Sequence, residues 1–197
     1  MATVERPASH RGELGLLVDM ADRQYATAAL LITIGAPIVA YLSGSTTLLF
    51  YVHVALGAFW FGLDFFFKFV LGPALDASPD QAVGAVNANL VPKIVVVAEP
   101  LSVGVVGSGI GLAWRLGYFA EPTPWLYGAL GIAALMLLNG FGPLHRATSK
   151  LVVELSLEEP DPGRLEAHFG TALRWGLLQS GFMLAILAMM VGLRGIL

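Results

Sequence analysis

Cysteine is absent from the 197-residue chain, which excludes disulfides, thiolate metal sites, iron–sulfur clusters and covalently attached c-type haem. Charge is scarce. Only 13% of residues are Asp, Glu, Lys or Arg, against about 25% in a typical soluble domain. The net charge of −3 carries no basic excess and points to no nucleic-acid partner. Residues Met1 to Arg23 mix both signs and lack an apolar stretch after a basic start. No cleavable signal peptide is expected there, and the first membrane helix would direct insertion. Internal repeats are lacking too. What remains is hydrocarbon: 56% of residues are hydrophobic and the mean hydropathy is positive. The apolar residues form near-continuous runs rather than stripes, so the bilayer is the expected solvent.

Five such runs are legible, at Tyr25–Leu42, Leu48–Leu71, Val91–Leu116, Trp125–Phe141 and Leu173–Leu193. Each holds about 17 to 26 residues, enough at 1.5 Å per residue to cross hydrocarbon about 30 Å thick. The expected fold is all-α, a polytopic membrane bundle of five transmembrane helices. A cytoplasmic tail over 1–24 precedes a single membrane domain over 25–197, with a cytoplasmic loop at about 142–172. Ser43 to Thr47, Gly72-Pro73, Glu121 to Pro124 and Gly142-Pro143 punctuate the runs as turns or helix ends. The first run is the weakest, being short and interrupted by Pro37. In the long loop, Glu154 to Pro162 reads as a helix end and turn. Gly163 to Gly170 reads as a solvated connector or a short interfacial helix.

Basic residues set the expected topology. Arg6, Arg11, Arg23, Lys93, Arg146, Lys150, Arg164 and Arg174 fall on one side, with Lys68 close by, and only Arg115 and Arg194 on the other. The positive-inside rule then places the N-terminus in the cytoplasm and the C-terminus outside the cell (plasma, inner) membrane. Trp114, Trp125 and Tyr127 stand where an outer aromatic belt belongs.

Ionisable groups in hydrocarbon are costly, so each needs a partner or a role. Asp64 and Glu99 fall at similar depth on successive antiparallel runs, and Lys68 lies one turn from Asp64, at i+4. With Lys93, Asn139 and His145 they define an expected polar cluster in the inner half of the membrane. One reading is purely structural: Asp64–Lys68 is an intrahelical ion pair and Lys93 reaches to the interface. The other is a proton or ion path, or a site for charged groups. Glu99 is followed by Pro100, whose missing N–H frees a backbone carbonyl beside a buried acid.

His53 lies about 8 Å deep at the opposite end of its run. It is either a residue satisfied by a neighbouring carbonyl or a ligand to haem iron or copper. Phe50, Gly57 and Trp60 fall near its helical face, and Gly57 would leave space for a planar macrocycle. A second axial histidine is not evident, because His145 is far away in depth and His10 and His168 lie outside the membrane. Copper has less support, with no cysteine and no methionine cluster; Met183, Met189 and Met190 read as core or lipid-facing.

The stretch His53-x6-Trp60, followed by Phe61, Gly62 and Leu63, resembles an element of a superfamily of small integral membrane proteins. That superfamily includes the copper-resistance D-like proteins, an uncharacterised branch related to them, and the HemJ-type protoporphyrinogen oxidases. Pro92 to Leu116, with Gly109, Ile110, Gly111 and Leu112, resembles the family's next helix. Trp125-Leu126 resembles the start of the one after, and Arg174 to Leu197 the last. The resemblance covers about Leu48 to Leu197. It implies a four-helix core, with the first helix an addition, and in the oxidase branch a haem b carried by the residue matching His53. The oxidase branch has a lysine where this chain has Ala129, which argues against protoporphyrinogen oxidation and for the uncharacterised branch.

The expectation is therefore a membrane haem-b protein in redox or electron transport, with His53, Gly57 and Trp60 at the cofactor and His53 the metal ligand. The alternatives are a copper- or ion-handling, transporter-like protein using His53 and the acidic pair, and a cofactor-free accessory subunit of a membrane complex. The lipid bilayer is the expected partner, with a membrane redox partner or larger complex as a further one. Gly104, Gly107, Gly109 and Gly111 would suit close helix packing, within the bundle or to a partner.

Overall fold

The computed structural model describes residues 10–157 and 159–195. These form six helices and, among the described residues, no strand: α1 (His10–Ala21), α2 (Arg23–Leu42), α3 (Thr46–Asp76), α4 (Asp80–Arg115), α5 (Pro124–Leu155) and α6 (Pro162–Leu193). All but α1 are long and apolar enough to cross a membrane, and the chain is a multi-pass membrane protein. Arg6 and Leu197 lie outside the described residues, as does the Arg11 side chain.

Polar caps start the helices where the sequence offers them. The Ser45 hydroxyl accepts from Leu48 N at 3.1 Å, Thr123 from Leu126 N at 3.4 Å, and Asp161 from Gly163 N at 2.8 Å. Asp22 takes φ 77°, breaks α1 from α2, and caps α2 by accepting from Gln24 N at 2.7 Å.

Helices α3, α4, α5 and α6 close into a four-helix ring. The chief contacts join α3 to α4 and α5 to α6, and α2 lies in the groove between α3 and α4. The central core draws on five helices: Ala29 of α2, Leu56 and Trp60 of α3, Val97 and Leu101 of α4, Met136 of α5 and Met183 of α6. The first span thus lies outside the four-helix ring but contributes to its core. Exposed Leu31, Ile32, Val39, Tyr51, Phe69 and Leu138 face outward, as lipid-facing residues do.

Several helix ends lie further on than the sequence punctuation suggests. Gly72-Pro73 does not end α3; at Gly142-Pro143 the helix does break, at a kink, and a further helical segment of α5 runs on to Leu155. The stretch from Gly163 to Gly170 is the first part of α6, continuous with the last span. The expected 142–172 loop is therefore helical up to Leu155 and again from Pro162. The tail over 1–24 contains α1, whose Leu17 packs on Val95 and Val152.

Wide helical turns accompany Pro37, Pro73 and Pro143. Among the described residues three π-turns occur, at Leu31–Gly35, Phe67–Leu71 and Gly140–Leu144, each holding a proline or ending two residues before one. Ala36 N–H reaches back to Leu31 O and Gly72 N–H to Phe67 O, one residue beyond the α-helical partner. The widened turn takes up the missing donor and ring clash of Pro37 and Pro73 without ending the helix. In α5 the strain is sharper: Gly142 leaves helical geometry, with φ −98° and ψ −106°, beside Pro143.

Pro37 has no N–H to give the Thr33 carbonyl. That carbonyl presses instead against α4 at Gly104, where a Cβ would lie 1.8 Å from Thr33 O. Such close approach requires glycine and permits weak Cα–H···O contact between the helices. Gly109 and Gly111 are likewise used inside the bundle, against His53 and Tyr41, whereas a Cβ at Gly107 would meet nothing within 4 Å.

Gly104→Ala is expected to lower stability by about 1–3 kcal/mol through overpacking against backbone, whereas Gly107→Ala leaves stability the same or slightly raised. Thermal unfolding of the two variants in one detergent checks this; equal melting temperatures would refute the close α2–α4 contact.

Candidate functional site

A cavity of about 230 Å³ lies between α3, α4, α5 and α6, toward the middle of their lengths. Its walls include Trp60, Leu63, Phe67, Met136, Phe141 and Leu144. Four ionisable side chains line it: Asp64 and Lys68 from α3, Glu99 from α4 and His145 from α5. Two of the three π-turns contribute directly, Phe67 and Lys68 from one, and Gly140, Phe141 and Leu144 from the other. Turns of this kind re-aim side chains within a helix. Here they turn Lys68 and His145, the residue after the second turn, toward the bundle interior.

The charges are paired. Lys68 and Asp64 form an i,i+4 ion pair, with side chains 12% and 15% exposed. Ser180 of α6 completes it, accepting from Lys68 Nζ at 2.8 Å and donating to Asp64 Oδ2 at 2.5 Å. Gly176 makes room for the lysine stem, since a Cβ there would lie 3.3 Å from Lys68 Cε. On the other side, His145 Nδ1 pairs with Glu99 Oε1. The second oxygen of Glu99 has no hydrogen-bond partner among the described residues. The Glu99 side chain remains 24% exposed, the most accessible of the four. His145 Nε2 lies 3.4 Å from Ser149 Oγ, one helical turn toward the end of α5.

Asn139 anchors α5 to α6. Its amide donates to Trp175 O at 3.1 Å and to Gln179 Oε1 at 2.9 Å, while Oδ1 is buried with no partner among the described residues. Gln179 lines the cavity and carried no signal in the sequence beyond its place in an apolar run. The same holds for Ser180. Both would be found only by asking which polar residues of the last span fall at the depth of Asp64.

The expected cluster is thus drawn together for Asp64, Lys68, Glu99 and His145, with Asn139 behind them. Lys93 departs from it. Its ammonium donates to Asn89 O at 3.1 Å, and it lines a shallow cleft on α4 with Ala85, Val86 and Leu90. Two turns before Glu99 on α4, it satisfies the helix backbone rather than the cavity. Pro92 and Pro100 leave α4 unbroken.

His53 is separate. Its Nδ1 lies 3.1 Å from Val105 O and 3.1 Å from Ser108 Oγ, and a Cβ at Gly109 would lie 2.9 Å from its Cε1. Because Val105 O can only accept, the bond to it makes Nδ1 the protonated nitrogen. Gly57 does not open onto free space: a Cβ there would meet Val105 Cγ1 at 3.9 Å, ordinary contact distance. Trp60 is 8% exposed and belongs to the central core. The face expected to admit a macrocycle is a helix–helix contact, because α4 packs against it. Among the described residues no three or more His, Asp or Glu converge as a metal site.

Beyond the cavity, Arg115 donates to Tyr41 O and lies 4.9 Å from the Tyr41 ring centre, while Arg194 lies 4.6 Å from that of Phe50. The two arginines at this end rest on aromatic faces. Trp114 and Tyr127 are exposed there, but Trp125 packs on Gly192.

Lys68→Met strands the Asp64 carboxylate and is expected to cost about 3–5 kcal/mol. The double variant Asp64→Leu, Lys68→Met recovers most of that loss. Denaturant or thermal unfolding of both variants decides it; a double variant no better than the single one would remove ion pairing as the cause.

No protein-family model, curated protein or solved structure matches the chain, so the functional reading rests on its own residues and geometry.

Proposed function

We propose that this protein is a transporter-like membrane protein that handles protons or small ions at the cavity between α3, α4, α5 and α6. The observation that carries the reading is the pairing of Glu99 with His145 on one wall of a cavity that also holds the neutralised Asp64–Lys68 pair. Ionisable residues facing a bundle interior are the usual components of intramembrane proton and ion paths. Imidazole can take a proton at one nitrogen and release one at the other. His145 has Glu99 at Nδ1 and Ser149 at Nε2, so it can pass a proton between the cavity acid and the end of α5. The kink at Gly142 adjoins this relay and gives α5 a place to bend.

The proposed orientation puts the ends carrying Arg23, Arg146, Lys150 and Arg164 in the cytoplasm of a plasma-membrane protein, supported by the scarcity of basic residues at the opposite end.

A second reading is a haem b held by His53, in the manner of the resembling superfamily. One observation favours it: the Nδ1 bond to Val105 O leaves Nε2 as the lone-pair nitrogen, the arrangement found in metal-ligating histidines. A bound haem would supply one-electron chemistry. Gly57 and Trp60 give it no support, being occupied by packing.

In vesicles carrying the purified protein, an imposed proton gradient is expected to decay faster than in protein-free vesicles, with Glu99→Gln slowing the decay about tenfold or more. Decay equal to protein-free vesicles, for every ion gradient imposed, would overturn the transport reading. For the second reading, a reduced-minus-oxidised visible spectrum should show a b-type signal that His53→Ala removes. A colourless, folded preparation from haem-replete cells would overturn it.

A further inference from the structure

We infer that the cavity binds a small lipophilic ammonium ion at Glu99 and exchanges it for a proton held by His145. This inference rests on the transport reading and names the class of its substrate. Four lines of observation lead to it.

Charge comes first. Among the described residues, the titratable groups lining the cavity are Asp64, Lys68, Glu99 and His145; α6 contributes the neutral Gln179 and Gly176. Asp64 and Lys68 cancel each other and are closed off by Ser180. With His145 neutral, the carboxylate of Glu99 is left uncancelled; with His145 protonated, it is cancelled. The site therefore has room for one positive charge, from imidazolium or from a ligand.

Access comes second. Glu99 is the most exposed of the four side chains, and its second oxygen has no partner among the described residues. It is the acceptor still open to a cation.

Wall chemistry comes third. Trp60, Phe67 and Phe141 present aromatic surface, and Leu63, Met136 and Leu144 aliphatic surface. Aromatic faces attract ammonium groups and apolar walls favour a hydrocarbon body. A metal ion wants several hard or nitrogen ligands at once, and no such group converges among the described residues.

Size comes fourth. An apolar cavity of about 150 Å³ holds benzene. At about 230 Å³, this one suits a single ring or a short branched chain bearing one amine.

The exchange balances. The ammonium enters with one positive charge and pairs with Glu99. The imidazolium of His145 gives its Nε2 proton to the Ser149 hydroxyl, which passes its own proton on to solvent water; His145 becomes neutral, so one positive charge arrives and one leaves. Reversing the steps releases the amine when His145 is protonated again.

The test uses the full chain in detergent and three probes of similar size and different charge: benzylammonium, benzyl alcohol and benzoate. Titration calorimetry is expected to give benzylammonium at least tenfold tighter binding than benzyl alcohol, and benzoate the weakest. Repeating the titration in buffers of different ionisation enthalpy, across a series of pH values, should show proton release that rises to about one per benzylammonium bound. His145→Gln should bind benzylammonium with no proton release, and Glu99→Gln should lose the preference for the cation over the alcohol. Benzoate binding as tightly as benzylammonium, or no binding of any probe by protein that still dissipates a proton gradient, would overturn the inference and leave the proton reading standing. Benzylammonium binding with proton release, in protein whose vesicles show no flux, would uphold the site and overturn transport.

Discussion

The low dielectric of the bundle interior forces every charged group placed there to find an opposite charge, and the middle of this molecule is built around that demand. An isolated carboxylate or ammonium at such depth costs several kcal/mol. Asp64 and Lys68 meet the demand within one helix, at i,i+4, with Ser180 reaching across from α6. Glu99 and His145 meet it between two helices. The first pair constrains how α3 and α6 approach, because Gly176 must stay small beside the lysine stem. The second fixes α5 against α4. The two pairs do not have the same consequence. An intrahelical pair sealed by a hydroxyl is a closed structural unit. An interhelical pair containing histidine, with one carboxylate oxygen free, can change its charge and its partner.

Backbone geometry serves the same end. Proline in a membrane helix removes a donor in a medium with no water to replace it. This chain answers with π-turns at three prolines, and two of those turns wall the cavity. The third frees the Thr33 carbonyl toward α4, and Gly104 accommodates it. Devices that keep the helices continuous thus also bend α5 beside His145 and seat α2 in its groove.

Much of this was legible in the sequence. Runs of hydrophobic residues about as long as a bilayer is thick mark five helices, and depth arithmetic brings Asp64 and Glu99 to one level. The i,i+4 spacing identifies the partner of Asp64. Gly72-Pro73 reads as a stop, and there the pattern misleads: single-residue signals cannot distinguish a helix end from a widened turn, since the difference lies in which carbonyl the preceding N–H reaches. Gly142-Pro143 does mark a break in helical geometry, but the chain turns helical again directly beyond it. Lys93 shows a second limit. Its depth resembles that of the cluster, but its helical face differs, and face depends on how α4 packs. The partner of His145 is hidden for a similar reason: a terminus at Gly142-Pro143 puts this histidine at the membrane surface, whereas α5 resumes beyond its kink and carries it beside Glu99. Gly57 beside His53 was read as space, which neighbouring α4 fills with Val105.

The central claim is that Glu99 and His145 form a protonatable site in a membrane-embedded cavity. Infrared difference spectroscopy of the purified protein through a pH titration addresses it most directly, because a protonated carboxyl has a carbonyl stretch distinct from that of a carboxylate. The account predicts a carboxyl band that responds to pH in the wild type, is absent in Glu99→Gln and is altered in His145→Gln. A band indifferent to both substitutions, or no titrating carboxyl at all, would contradict it.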